Sequence, residues 1–178
     1  DPLDYGTHMG PLMNANQLAR LEAYVAKAVS LGATVRTGGK KAAEHGELYF
    51  EPTVITGLSH EQITEMGEIF GPIVPLVPVS SYEEALDLAN DSLMGLGACV
   101  ATNSLERAMQ ASRHLRFGSV WINSPNSDTF GGPFGGFRQS GQGRELGIDG
   151  YEAFLQSKHV TIDHKVTPSP YWFERRDG

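Results

Sequence analysis

Two stretches of this sequence carry residue types suited to binding and reaction. In Glu65 to Pro72 (EMGEIFGP), Glu68 precedes Phe70 by two residues. A carboxylate there can accept hydrogen bonds from vicinal sugar hydroxyls, and the aromatic can pack on a ring. An ordinary solvated turn explains the same pair, because exposed carboxylates are the norm. The second stretch, Gly131 to Gly147 (GGPFGGFRQSGQGRELG), carries Phe134, Phe137, Arg138, Arg144 and Glu145 among its glycines. Glycine permits positive φ and close backbone approach, so the run reads as a loop moulded against something, its end marked by an apparent helix start at Arg144 and Glu145. A long surface loop of turn residues is the other reading.

Other reactive residue types fit less well. Cys99 lies in GLGACVAT, inside a buried strand pattern, which predicts a core residue rather than a nucleophile. The six histidines show no metal-ligand spacing, and His60-Glu61 lacks the second histidine of a helical zinc site, so no metal is expected. Glycines 141, 143 and 147 are misplaced for a dinucleotide fingerprint. Ser140 has no nucleophile-elbow context.

The elements that must position these groups follow from periodicity. Leu18, Leu21, Val25 and Ala28 predict a helix within Asn14 to Leu31, capped by Asn14 or Asn16 and stopped by Gly32. Ala33 to Thr37 and Tyr49 to Ile55 read as strands. Ile73 to Val79 reads as a strand buried on both faces, although Pro75 and Pro78 argue for an edge or a bulge. A capping box at Ser81 and Glu84 opens a helix Tyr82 to Asn90. Asn103 and Glu106 open another, with a stripe of Leu105, Ala108, Met109, Ser112 and Leu115. Gly97 to Ala101 and Ser119 to Ile122 are the buried strands between and after them. Helix and strand alternate, so a parallel-rich α/β sheet is expected. Lys158 to Asp163 alternates as a strand, with a tail from Thr167 to Gly178. An exposed terminal edge predicts pairing with another chain, while pairing inside the same domain is the alternative.

A length of 178 residues suits one domain. A net charge of −7 disfavours nucleic acid and anionic membranes as partners. No apolar run approaches the length of a membrane helix. A single cysteine fits a reducing, cytoplasmic setting. The start at Asp1-Pro2, without Met and within apparently ordered sequence, predicts a fragment of a longer protein.

Taken together, GPLMNANQ (Gly10 to Gln17), EIFGP (Glu68 to Pro72), GSVWIN (Gly118 to Asn123) and PFGGFRQSGQGRELG (Pro133 to Gly147) resemble the C-terminal part of the aldehyde dehydrogenase superfamily from near Asp1 to about Asp163. The resemblance implies an α/β fold with a parallel-rich three-layer sheet and flanking helices. Residues 1–156 would form the catalytic-domain portion, and 157–178 an oligomerisation strand and tail. It further implies NAD or NADP as cofactor, with Glu68 and Phe70 holding the nicotinamide ribose and ring. Gln17 and Arg20 would approach the ribose; the family usually has lysine at the latter position. Phe134 would close the substrate tunnel, and Asn123 to Phe130 would shape the way in for substrate. Glu145 matches a proton-relay glutamate and Arg144 a structural arginine.

In that family a cysteine attacks the aldehyde, and a glutamate activates the water that hydrolyses the thioester. Cys99 does not fall at the nucleophile position. Nucleophile, base and the Rossmann-type half are therefore expected upstream, and the chain alone is expected to be inactive. The implied partners are a small-molecule aldehyde, the missing N-terminal cofactor domain and further copies, paired through Lys158 to Asp163. A stand-alone interaction module that has kept the oligomerising strand is the alternative.

Overall fold

The computed structural model describes residues 2–124 and 127–165. The helical spacing of Leu18, Leu21, Val25 and Ala28 produces α1, Ala15–Ser30, with all four residues buried. Asn14 caps it, accepting from the Gln17 amide at 2.9 Å. Gly32, at φ +97°, turns the chain out of it. Against α1 lies a sheet of β1 (Thr34–Thr37), β2 (Thr53–Thr56) and β3 (Ile73–Leu76), in that order. β1 runs antiparallel to β2, and β2 parallel to β3. One cluster seals the two layers: Leu18, Leu21, Tyr24, Val25, Ala28, Phe50, Ile55, Leu58 and Ile73.

β3 is the sheet edge, and its Val74 and Leu76 are about half exposed, so it is not buried on both faces. Pro75, which cannot donate to a ladder, identified the edge correctly. Between β2 and β3 the chain forms α2 (His60–Met66), a helix absent from the expectations above. It opens on a reciprocal capping box in which Ser59 and Gln62 each satisfy the other's backbone amide.

The chain then forms α3 (Tyr82–Asn90), β4 (Met94–Gly95), β5 (Gly97–Val100), α4 (Leu105–His114), β6 (Ser119–Ile122), β7 (Phe137–Arg138) and α5 (Gly147–Glu152). β5 and β6 pair in parallel, and β4 and β7 antiparallel. The fold is α/β as expected, with its strands divided among three small sheets.

Several local details differ from the sequence reading. Ser81 caps α3, but the Glu84 carboxylate reaches past it to the amide of Ser80 at 2.6 Å, so the box is only half formed. α4 is capped by Ser104 rather than Asn103, and its buried face is Ala108, Ala111 and Leu115, while Leu105 and Met109 are exposed. α5 starts at Gly147, after Arg144 and Glu145.

β5 is not buried either. Its residues alternate between exposed and half-buried, and Cys99 is exposed, correcting its expected core role. Successive strand residues face opposite sides. Ala98 and Val100 are half-buried and line a cavity with Leu86, Ala89 and Ala111 of α3 and α4, while Gly97 and Cys99 are the exposed pair. Lys158 to Asp163 forms no strand within the chain, and Val160 and Ile162 are exposed. The tail Thr167 to Gly178 lies outside the described residues.

Candidate functional site

The loop carrying Glu68 leaves α2 at Gly67 and is held from beneath by α1. Gln17, only 6% exposed, donates through Nε2 to the carbonyls of Ile69 at 3.1 Å and Phe70 at 2.7 Å. Its amide nitrogen is therefore committed to protein. A buried amide in that position secures two carbonyls that would otherwise go unpaired. Arg20 reaches the Gln17 oxygen at 3.4 Å. Phe70 adopts φ +47° and is exposed, so its ring is presented outward.

Glu68 lines two cavities. One, of about 400 Å³, runs between α1 and α2 and is lined also by Arg20, Tyr24, Lys27 and Glu65. The Tyr24 hydroxyl is buried without a hydrogen-bond partner, and burial pushes its pKa up. The other cavity, about 570 Å³, sets Glu68 opposite Met94, Cys99, Trp121, Phe134 and Ser140. Glu68 and Phe134 are thus brought to one space, with Arg20 in the adjoining one. Cys99, Met94 and Trp121 are wall residues that the sequence reading did not place here. The alternation in GACV and SVWI is the signal that could have put Cys99 and Trp121 on one face.

The glycine-rich run is a moulded loop. Phe134 and Glu145 exchange backbone hydrogen bonds, each of 2.7 Å, closing residues 134–145 at the neck. Gly118 packs so closely on this loop that a Cβ there would overlap the Gly135 carbonyl oxygen. Arg144 donates to the carbonyls of Gly136 at 3.1 Å and Gly143 at 2.6 Å, with its guanidinium 5.4 Å from the Phe137 ring. Its contacts hold the two ends of the loop's final turn together. Arg138 donates to the carbonyls of Asn90 and Ser92. Ser140 accepts from the Gly95 amide at 2.9 Å, spending its hydroxyl on the fold.

The Glu145 side chain is exposed at the neck. Asn123 is bonded within the chain: its amide oxygen accepts from the Thr102 amide at 2.8 Å, and its nitrogen donates to the Thr102 carbonyl at 2.7 Å. It clamps the end of β6 to the strand beside it. Phe130 is almost fully exposed and touches the loop through its carbonyl, which accepts from the Gly147 amide at 2.9 Å. Among the described residues no group of three His, Cys, Asp or Glu is placed to hold a metal ion.

The family model for the aldehyde dehydrogenase family matches residues 1–160. Aminoaldehyde dehydrogenase 1, peroxisomal, from Pisum sativum is 40% identical over 162 residues, which cover 90% of this chain and 32% of that protein. Succinate-semialdehyde dehydrogenase, mitochondrial, from Arabidopsis thaliana is 40% identical over 157 residues, covering 88% and 30%. Among solved structures, betaine aldehyde dehydrogenase from Staphylococcus aureus in complex with NAD+ superposes with a TM-score of 0.86 at 35% identity, over 96% of this chain and 35% of that one. The chain spans about a third of the length of the curated relatives it matches. Its motifs, its fold and a family match over residues 1–160 agree: this chain belongs to the aldehyde dehydrogenase family.

Proposed function

We propose that this chain supplies the nicotinamide-side and substrate-side walls of an NAD(P)-dependent aldehyde dehydrogenase, the whole protein oxidising an aldehyde to a carboxylic acid. The observation that carries this reading is the position of Glu68, shared between the cavity beside Arg20 and the cavity faced by Phe134. An exposed carboxylate can accept from both hydroxyls of a ribose, and the outward Phe70 ring can pack on a flat heterocycle, so the residues present fit a nicotinamide cofactor. That cofactor, when bound, takes up a hydride from the substrate.

Gln17 acts through the loop, fixing the backbone from which Glu68 and Phe70 project. Phe134 and Trp121 supply apolar wall that limits water around the aldehyde carbon. Glu145, exposed at the neck of the glycine-rich loop, is placed to exchange protons with solvent. Cys99 is a wall residue in this reading, with nucleophile and general base supplied from outside the chain. Aminoaldehyde and succinate-semialdehyde dehydrogenases among the relatives are named for polar aldehydes, which supports a polar substrate. The S. aureus neighbour holds NAD+, which supports NAD ahead of NADP.

The alternating segment Lys158 to Asp163, whose Val160 and Ile162 are exposed, supports pairing with a second copy. No described helix is long and apolar enough to cross a membrane. The single thiol supports a reducing compartment, read here as the cytoplasm, although relatives named for the peroxisome and mitochondrion exist.

Glu68→Gln in the whole protein tests the assignment. It should weaken NAD+ binding about tenfold, the effect of about 1.4 kcal/mol, while leaving thermal stability unchanged. Unchanged affinity would remove Glu68 from the cofactor site. Aldehyde-dependent NADH formation by the 178-residue chain alone would refute a nucleophile supplied from elsewhere.

A further inference from the structure

We propose that His60 and Asp91 form a latch that positions the Glu68 loop against the wall carrying Phe134. The proposal rests on the reading of Glu68 as a cofactor-binding carboxylate. The described strand pairings stay within residues 2–79 or within residues 80–165, and so do the hydrogen bonds around Gln17, Asn123, Arg138 and Arg144. The larger cavity, however, belongs to both halves: Glu68 comes from the first, while Met94, Trp121 and Phe134 come from the second. Its width therefore depends on what joins them.

His60 and Asp91 make that connection. His60 is the first residue of α2, whose other end leads directly into the Glu68 loop. Its side chain is largely covered, and its Nε2 lies 3.0 Å from Asp91 Oδ2. A carboxylate only accepts, so the imidazole donates.

Asp91 sits at the end of α3, beside a hub. The Asn90 side chain accepts from the Arg116 amide at 2.8 Å and donates to the His114 carbonyl at 2.9 Å. The Asn90 carbonyl also accepts from Arg138, which belongs to the glycine-rich loop bearing Phe134. One continuous set of contacts thus runs from Glu68 through α2, His60, Asp91 and Asn90 to that loop. His60 and Asp91 are positioning residues in this scheme and touch neither cofactor nor substrate.

Hydrogen exchange of amides 67–71 in the whole protein reads the latch directly, with His60→Ala, Asp91→Ala and the double variant compared. Asp91 is exposed, so the pair's loss should loosen the loop without unfolding it: each single variant should speed exchange about fivefold, with no further gain in the double. The swap His60→Asp with Asp91→His, which also suits both helix ends, should restore the parent rate. Unchanged exchange after Asp91→Ala, additive single effects or a swap that fails to rescue would overturn the latch. NAD+ affinity measured on the same variants separates the two ideas. A parallel loss of affinity supports both, whereas faster exchange with unchanged affinity keeps the latch and rejects the cofactor role of Glu68.

Discussion

Residues 2–79 and residues 80–165 are held together by different means. In the first half Leu21 and Ile55 are at most 1% exposed, within a cluster of nine buried residues that also joins α1 to the sheet. In the second half the buried apolar residues among those described are Ala108, Ala111 and Leu115, all on or beside α4. Backbone contacts and polar clamps do the holding there: Gly118 against Gly135, Asn123 on Thr102, Asn90 on Arg116, and Arg138 and Arg144 on loop carbonyls. The first half resists perturbation through apolar volume, the second through backbone fit. The larger cavity lies where the two meet.

Equal truncations in the two halves are the sharpest way to break this contrast. Leu21→Ala should cost about 4 kcal/mol and Leu115→Ala about 2 kcal/mol, since only the former opens a cavity inside a closed cluster. Equal shifts in denaturant midpoint would show that the second half has a core of the same quality. Gly118→Ala, which adds a single carbon, should cost about 3 kcal/mol because the Gly135 backbone must move. Gly10→Ala, with nothing near the added carbon, should stay within about 0.5 kcal/mol, and similar values for the two would contradict the backbone-fit account.

The first half has one polar flaw. Tyr24→Phe removes a buried, unpartnered hydroxyl and should raise stability by about 1 kcal/mol. Because burial raises the Tyr24 pKa, ionisation adds no cost to the fold below the ordinary tyrosine value of about 10, and stability falls as pH climbs from there through the folded value. Melting curves of Tyr24→Phe should lack that part of the alkaline decline.

The smallest effect expected is at the start of α3. Hydrogen bonds from the Ser80 hydroxyl and amide hold Glu84 below the usual carboxylate range. Its stabilising contribution is present above about pH 4.3 and disappears as pH falls through the folded value. Glu84→Gln should flatten the acid limb of the melting temperature slightly, and an unaltered limb would exclude the Ser80 contact as its origin.

Local signals read well from the sequence. The bounds of α1 and α3 follow from period and caps, β6 from its apolar run, and the edge position of β3 from Pro75. The helix α2 escaped because seven residues hold too little periodicity, though Ser59 and Gln62 spelled its capping box. The bonds of Gln17 and Asn123 were not legible in the sequence for another reason. Both amides are committed to carbonyls distant in sequence, at Ile69, Phe70 and Thr102, and only the folded chain brings those within reach. Cys99 was placed in a core because alternation gives two faces and cannot say which one is covered.

The paired amides of Phe134 and Glu145 also bear on how this loop can vary in length. With the neck fixed by two short hydrogen bonds, residues 135–144 form an excursion whose far end, at Gly141 and Gly143, has nothing within 4 Å of an added carbon. Closure entropy grows only slowly with loop length. Residues inserted between those glycines would lengthen the excursion outward and leave Phe134 in its wall, so the fold can trade loop size at this point without redrawing the cavity.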